Sequence, residues 1–187
     1  MQEAPVSGGV WLPEARRLPS PNCDPRPPGT TIDLLVIHNI SLPPGRFGGP
    51  WIDDLFLNRL DPSADPYFRS IHRQRVSAHL LIDRHGALTQ YVPLELRAWH
   101  AGRSCFGGRT ACNDFSIGIE LEGADDIPYS DDQYLCLARV TRHIMRRYPA
   151  ITSDRITGHC HIAPDRKTDP GAAFEWARYL GMVGSEE

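Results

Sequence analysis

The sequence predicts a single α/β domain built on a central mixed β-sheet flanked by helices, and three observations carry that expectation. Residues 31–40 (TIDLLVIHNI) form a β-branched apolar run of strand length. Residues 76–83 and 88–92 are strand-like and are joined by Arg84-His85-Gly86-Ala87, a hairpin signal with glycine placed for the turn. From Ser130 onward, Tyr134, Leu137, Ala138, Thr141, Ile144 and Tyr148 recur at helical spacing until Pro149. Strands interleaved with helices in this way point to one layered α/β unit.

Taken in order, residues 1–30 are rich in Pro, Arg and Gly and read as an irregular arm laid over the domain. The folded domain is expected over residues 31–187. The apolar run at 31–40 should be a strand covered on both faces, with His38 near its end. A Pro/Gly loop follows at 41–50, then a short helix at 51–59. Residues 115–122 (FSIGIELE) form a further strand whose alternation puts Gly118, Glu120 and Glu122 on one face. Gly118 inside it signals a close approach. Ser130 with Gln133 has the pattern of a capping box opening the long helix. Residues 156–159 read as a short strand, 158–171 as a polar loop and 174–180 as a helix.

Composition limits the function classes. The 187 residues are 41% hydrophobic and 23% charged, which suits a folded globular chain. A formal net charge of −3 lacks the basic footprint of a nucleic-acid binder. No apolar stretch is long enough to span a membrane. The opening residues Met1 to Pro5 have neither the basic nor the apolar region of an export signal, so a cytoplasmic protein is expected. Five irregularly spaced cysteines suit free thiols in a reducing compartment, and no Cys-x-x-Cys pair supports a structural zinc ribbon.

Eight histidines remain to be sorted. A catalytic zinc site needs three protein ligands and an open position. His38 and His159 each end a strand and open a Gly/Pro loop, and Asp169 follows in Lys167-Thr168-Asp169-Pro170-Gly171. These three make a His, His, carboxylate set, although no compact signature such as H-E-x-x-H accompanies them. His161, two residues beyond His159, would share its face in an extended chain and is a rival ligand. Cys160 is a second rival. The alternative reading makes His38 a satisfied core histidine and Asp169 the cap of a helix beginning near Pro170. His79 reads as structural beneath the site, His100 as a groove or surface residue, and His72, His85 and His143 as exposed. Glu120 in an apolar strand is costly unless it is paired or used; it is either a general base or half of a structural ion pair. Lys167, the sole lysine of the chain, stands two residues before Asp169 and could steady an oxyanion.

Several motifs carry a family resemblance. They are Val36-Ile37-His38-Asn39-Ile40-Ser41-Leu42-Pro43-Pro44-Gly45, Val76-Ser77-Ala78-His79, Ala98-Trp99-His100-Ala101-Gly102, residues 112–123 (CNDFSIGIELEG), and Gly158-His159-Cys160 with residues 163–171 (APDRKTDPG). Together with residues 11–17 and 19–22 they run over nearly the whole chain, and the sequence resembles the AmpD-type 1,6-anhydro-N-acetylmuramyl-L-alanine amidases. The resemblance implies the N-acetylmuramoyl-L-alanine amidase and peptidoglycan-recognition fold, with one zinc ion per chain held by His38, His159 and Asp169. It implies Glu120 and Lys167 as the catalytic pair and a substrate groove at Asn39, Arg75, Trp99 and His100. The expected substrate is an anhydromuropeptide, cut by a monomer during cytosolic cell-wall recycling, with no nucleic acid or membrane partner. His161 stands where the family pattern has Asn or Asp, and Asp165 where it has Glu. The alternatives are an amidase acting on intact murein, a non-catalytic peptidoglycan-binding module and a structural zinc protein.

Overall fold

A computed structural model describes residues 9–185. The first eight residues, on which the export reading rests, lie outside the described residues, as do Glu186 and Glu187.

Among the described residues, ten strands and five α-helices order the chain. The strands are β1 (Arg16–Arg17), β2 (Cys23–Asp24), β3 (Leu34–Ile40), β4 (Leu80–Ile82), β5 (Leu88–Gln90), β6 (Arg97–Ala98), β7 (Cys105–Phe106), β8 (Arg109–Thr110), β9 (Ser116–Glu122) and β10 (Ile156–Gly158). The helices are α1 (Trp51–Phe56), α2 (Phe68–Ile71), α3 (Asp131–Arg147), α4 (His159–Ile162) and α5 (Trp176–Gly184). Six strands make the main sheet in the order β1-β5-β4-β9-β3-β10, and β2–β6 and β7–β8 are separate antiparallel pairs. Only β4 and β5 pair antiparallel in the main sheet, as the hairpin signal predicts; Gly86 supplies a φ of +76° and the Asp83 carboxylate accepts from the amides of His85 and Ala87.

Alternation divides the core into layers. Leu35 and Ile37 of β3 and Ile117, Ile119 and Leu121 of β9 pack with Tyr134, Leu137, Val140 and Ile144 of α3 and with Tyr179 of α5. Leu34 and Val36 of β3 face the other way, onto Ala101, Cys112, Phe115 and Ile162. The strand is therefore apolar on both faces because both are covered. His38 continues the parity of Leu34 and Val36, so it emerges at the strand end on that second face.

Helix α3 begins where the sequence expects. Ser130 accepts from the Gln133 amide at 3.2 Å, and the Gln133 side chain accepts from the Ser130 amide at 3.1 Å. Asp131 and Asp132 in the first turn and Arg146 and Arg147 in the last complement the helix dipole.

Boundaries differ in places. The helix expected at 51–59 stops at Phe56, because Asn58 turns left-handed at φ +60°. The polar loop expected over 158–171 begins with the single turn α4, and the short helix α2 and strands β1, β2 and β6–β8 have no strong periodic signal. No helix among the described residues is long and apolar enough to cross a membrane.

Candidate active site

The parallel register of β3 and β9 sets His38 opposite Glu120. Strand β10 lies on the other side of β3 and delivers His159 at its end, as the first residue of α4. Asp169 returns from the following loop, whose main chain is held where the Asp169 carbonyl accepts from the Cys160 amide at 2.9 Å. Gly171 has a φ of +83°, and a Cβ there would lie 2.1 Å from the Asp125 Cα, so only glycine lets the loop pass.

These placements converge. His38 Nδ1 lies 2.9 Å from His159 Nδ1 and 3.0 Å from Asp169 Oδ2, and His159 Nδ1 lies 3.1 Å from the same oxygen. Among the described residues, His38, His159 and Asp169 are the group of metal-ligating side chains that could hold an ion. Burial pushes the Asp169 carboxyl up, but the facing imidazoles of His159 and His38 outweigh that and hold it well below the usual carboxylate range. Burial lowers His38 to about 4, against the opposing pull of Asp169, so its ring is neutral near pH 7. His159 Nε2 donates to the Ala101 carbonyl at 3.2 Å, since a carbonyl oxygen only accepts. In that tautomer His159 Nδ1 presents a lone pair toward the Asp169 carboxylate at 3.1 Å, an arrangement that accommodates a cation between them. The donor set, two imidazoles and one carboxylate with the cleft open above, fits a catalytic zinc ion rather than a closed thiolate site.

His161 is not part of this cluster. Because α4 is helical, residues i and i+2 point roughly 200° apart rather than to one side. The exposed His161 instead places Nδ1 3.3 Å from the Gly158 amide and its ring 5.9 Å from Trp176. Cys160 also stands outside the cluster. No helix starts at Pro170 to be capped by Asp169; the next is α5.

An open cleft of about 570 Å³ lies over the cluster, lined by His38, Asn39, Trp99, His100, Glu120, His159, Lys167 and Asp169 among others. Glu120 is buried, and its Oε2 has no hydrogen-bond partner in the protein. Burial, followed by the Asp169 charge, pushes its carboxyl well above the ordinary range, with Lys167 pulling it back. The expected alternative of a structural ion pair is absent: no arginine pairs with it among the described residues. Lys167 is exposed at the rim.

The groove residues are less uniform. Asn39 donates to Asp125 Oδ1 at 2.9 Å and to the Pro170 carbonyl at 3.0 Å. The Trp99 indole donates to Asp24 of the N-terminal arm at 3.1 Å. Arg75 is exposed and is not among the lining side chains, although its neighbours Gln74 and Val76 are. His100 is buried with both ring nitrogens engaged, by His38 and Ser116, and offers the cleft only its ring. A Cβ on Gly118 would lie 2.5 Å from the His100 ring, so the close approach signalled by Gly118 is to a side chain. His79 lies beneath, accepting from the Gly118 amide and donating to the Leu96 carbonyl, and burial with the nearby Arg26 charge lowers it to about 3. His72 and His143, expected to be exposed, are half-buried.

Sequence reasoning missed the arm's part in the site. Asn22 donates to the carbonyls of Phe56 and Val76, and Asp24 binds both Trp99 and Arg97. Arg26 donates to the carbonyls of Leu94, Glu95, Asn113, Asp114 and Ser116. These bonds reach mostly to backbone far along the chain, which no local pattern reveals.

The family model of the N-acetylmuramoyl-L-alanine amidases matches residues 28–172. The 1,6-anhydro-N-acetylmuramyl-L-alanine amidase AmpD of Citrobacter freundii is 61% identical over 173 residues, 92% of each chain. A crystal structure of a selenomethionine AmpD derivative superposes with a TM-score of 0.90 at 61% identity, over 92% of this chain and 96% of that one. The amidase AmiD from Escherichia coli, solved with the substrate anhydro-N-acetylmuramic acid-L-Ala-D-γ-Glu-L-Lys, superposes with a TM-score of 0.60 at 28% identity, over 84% of this chain and 60% of that one. The motifs, the sheet and the site thus agree, and the chain belongs to the N-acetylmuramoyl-L-alanine amidases, within the AmpD type.

Proposed function

We propose that this chain is a zinc-dependent hydrolase that cuts the amide bond between the lactyl group of 1,6-anhydro-N-acetylmuramic acid and the L-alanine of the stem peptide, as a cytosolic monomer in cell-wall recycling. The observation that carries the metal reading is the convergence of two imidazole nitrogens and one carboxylate oxygen within 3.1 Å, beneath an open cleft. Zinc would be held by His38, His159 and Asp169, one ion per chain, in a catalytic domain spanning residues 31–187 with residues 1–30 as its arm. Bound there, the ion supplies Lewis acidity toward water and an amide carbonyl.

The chain's own groups do the rest. Glu120, desolvated and unpartnered, takes the proton of the water that attacks the lactyl carbonyl. It then passes that proton to the departing alanine nitrogen. Lys167, the exposed cation at the rim, steadies the negative charge that develops on the carbonyl oxygen. Trp99 packs on the sugar, and Asn39 and the His100 ring complete the groove floor. Arg75, exposed beside it, reaches a substrate carboxylate or sugar oxygen.

The test offers the purified protein soluble anhydromuropeptides and intact sacculi, with products identified by mass. Release of the stem peptide from the soluble substrate alone is the expected result. Equal cleavage of sacculi would assign the chain to murein turnover instead, and cleavage of neither would leave a binding module.

A further inference from the structure

The two histidines of the candidate metal site take their outer hydrogen bonds from adjacent residues of one loop. His159 Nε2 donates to the carbonyl of Ala101, and His38 Nε2 lies 2.9 Å from Nδ1 of His100. Which nitrogen of an imidazole can bind a metal is set by the hydrogen bond that the other one makes.

Proton positions around His38 follow from a chain of contacts that ends on a backbone carbonyl. Ser116 Oγ lies 2.6 Å from the Cys112 carbonyl, which can only accept, so the single hydroxyl proton is used there. Ser116 Oγ is also 3.1 Å from His100 Nε2, and having no proton left it must accept, so Nε2 carries the proton. A neutral His100 then has a bare Nδ1. The ring is buried and its hydrogen-bond partners, Ser116 and His38, include no anion that would compensate a charge, so it is neutral. The bare Nδ1 accepts from His38 Nε2, and that leaves His38 Nδ1 as a lone pair aimed at His159 Nδ1 and Asp169 Oδ2.

The loop is itself anchored. Asn113 Oδ1 accepts from the amides of both His100 and Ala101, at 3.1 and 2.7 Å. Gly118 leaves the space that the His100 ring fills.

We propose that the His100–Ala101 dipeptide, locked by Ser116 and Asn113, is the positioning element that turns the Nδ1 lone pairs of His38 and His159 into the metal site. His100, Ser116 and Asn113 touch neither the ion nor the scissile bond. They act by selecting the tautomer of one ligand and the ring orientation of both. The inference rests on the metal reading proposed above and adds the origin of its geometry.

Nitrogen-15 NMR of the metal-free wild-type protein tests it without any substitution. His38 should show an unprotonated Nδ1 and a protonated Nε2, and His100 the same pattern. A second measurement reads zinc affinity by competition with a chromophoric chelator, in variants whose fold is checked by near-UV circular dichroism. Ser116→Ala, which removes the fixed acceptor, should mix the His38 tautomers and weaken zinc binding by roughly 10–100-fold, the usual effect of losing an outer partner of a ligand. His100→Phe, which removes both ring nitrogens, should do the same. A proton on His38 Nδ1 in the wild type overturns the proposal, as does zinc binding within about twofold of wild type in both variants, well short of the expected loss. If Ser116→Ala does not fold, the wild-type tautomer still decides. A wild-type chain that takes up no zinc would instead overturn the metal reading, and this inference with it.

Discussion

The floor of the cleft and its wall are built by different means. The floor is sheet: His38, Glu120 and His159 stand at the ends of β3, β9 and β10, where parallel register leaves little freedom. The wall is loop and arm, held by single side chains bonded across long sequence distances. Asp24 steadies Trp99, Asn22 holds the carbonyls of Phe56 and Val76, and Glu122 accepts from the Gly48 amide of the Pro/Gly loop. Rigid elements position reacting groups more finely than loops do, while loops adjust to a ligand. The difference implies that changes in the floor cost chemistry and changes in the wall cost recognition.

The two carboxylates of the site sharpen this contrast. Asp169 is held ionised by facing imidazoles, whereas Glu120 is desolvated beside Asp169 and is pushed up. Asp169→Ala should therefore have the largest effect, with metal uptake and turnover lost together. Metal analysis beside an activity assay checks this, and a variant that still holds zinc would remove Asp169 from the site. Next, Glu120→Gln should retain metal and lower kcat by roughly 10²–10⁴-fold, the usual worth of a general base.

A pH dependence follows from the same residue. A base must be ionised to act, so kcat/KM should rise with pH as Glu120 loses its proton. In the metal-free protein that proton should leave well above the ordinary carboxylate range, and a bound dication should draw the titration down. Carboxyl carbon-13 NMR of Glu120 with and without zinc reads both positions; a titration that zinc leaves unmoved would place the ion elsewhere. The same raised value makes the metal-free fold less stable as pH rises through the Glu120 titration, because the folded chain binds the proton more tightly than the unfolded one.

Gly118→Ala breaks the floor without touching a ligand. Its backbone tolerates alanine, yet the added methyl meets the His100 ring. Displacing that ring should weaken zinc binding by roughly 10–100-fold and destabilise the fold by about 1–3 kcal/mol, read by chelator competition and thermal melting. The smallest effect belongs to the wall. Asp24→Ala removes the acceptor of the Trp99 indole, a bond worth about 1 kcal/mol, so KM should rise roughly fivefold at unchanged zinc content. A fall in kcat with no change in KM would dissolve the distinction between wall and floor.

Legibility in the sequence followed the same division. The floor lies in periodic strands, so alternation alone set Gly118 and Glu120 on one face, and the apolar run ending at His38 marked a covered strand. The choice between His159 and His161 was not legible, because it depends on one helical turn at α4 that the glycine- and proline-rich context hides. Ser116 shares the alternation of Gly118 and Glu120 and could have been found on that ground. Asn113, Asn22 and Asp24 could not, since their partners are mostly backbone groups or residues many positions away. Arg75 and Trp99 had meaning only through the family motifs.

The central claim is that His38, His159 and Asp169 hold one ion on which hydrolysis depends. Titrating zinc into the metal-stripped chain, while following stem-peptide release from an anhydromuropeptide, tests it most directly. The account expects no turnover at the start and a linear rise that breaks at one equivalent of zinc. Full turnover in the stripped chain would contradict it.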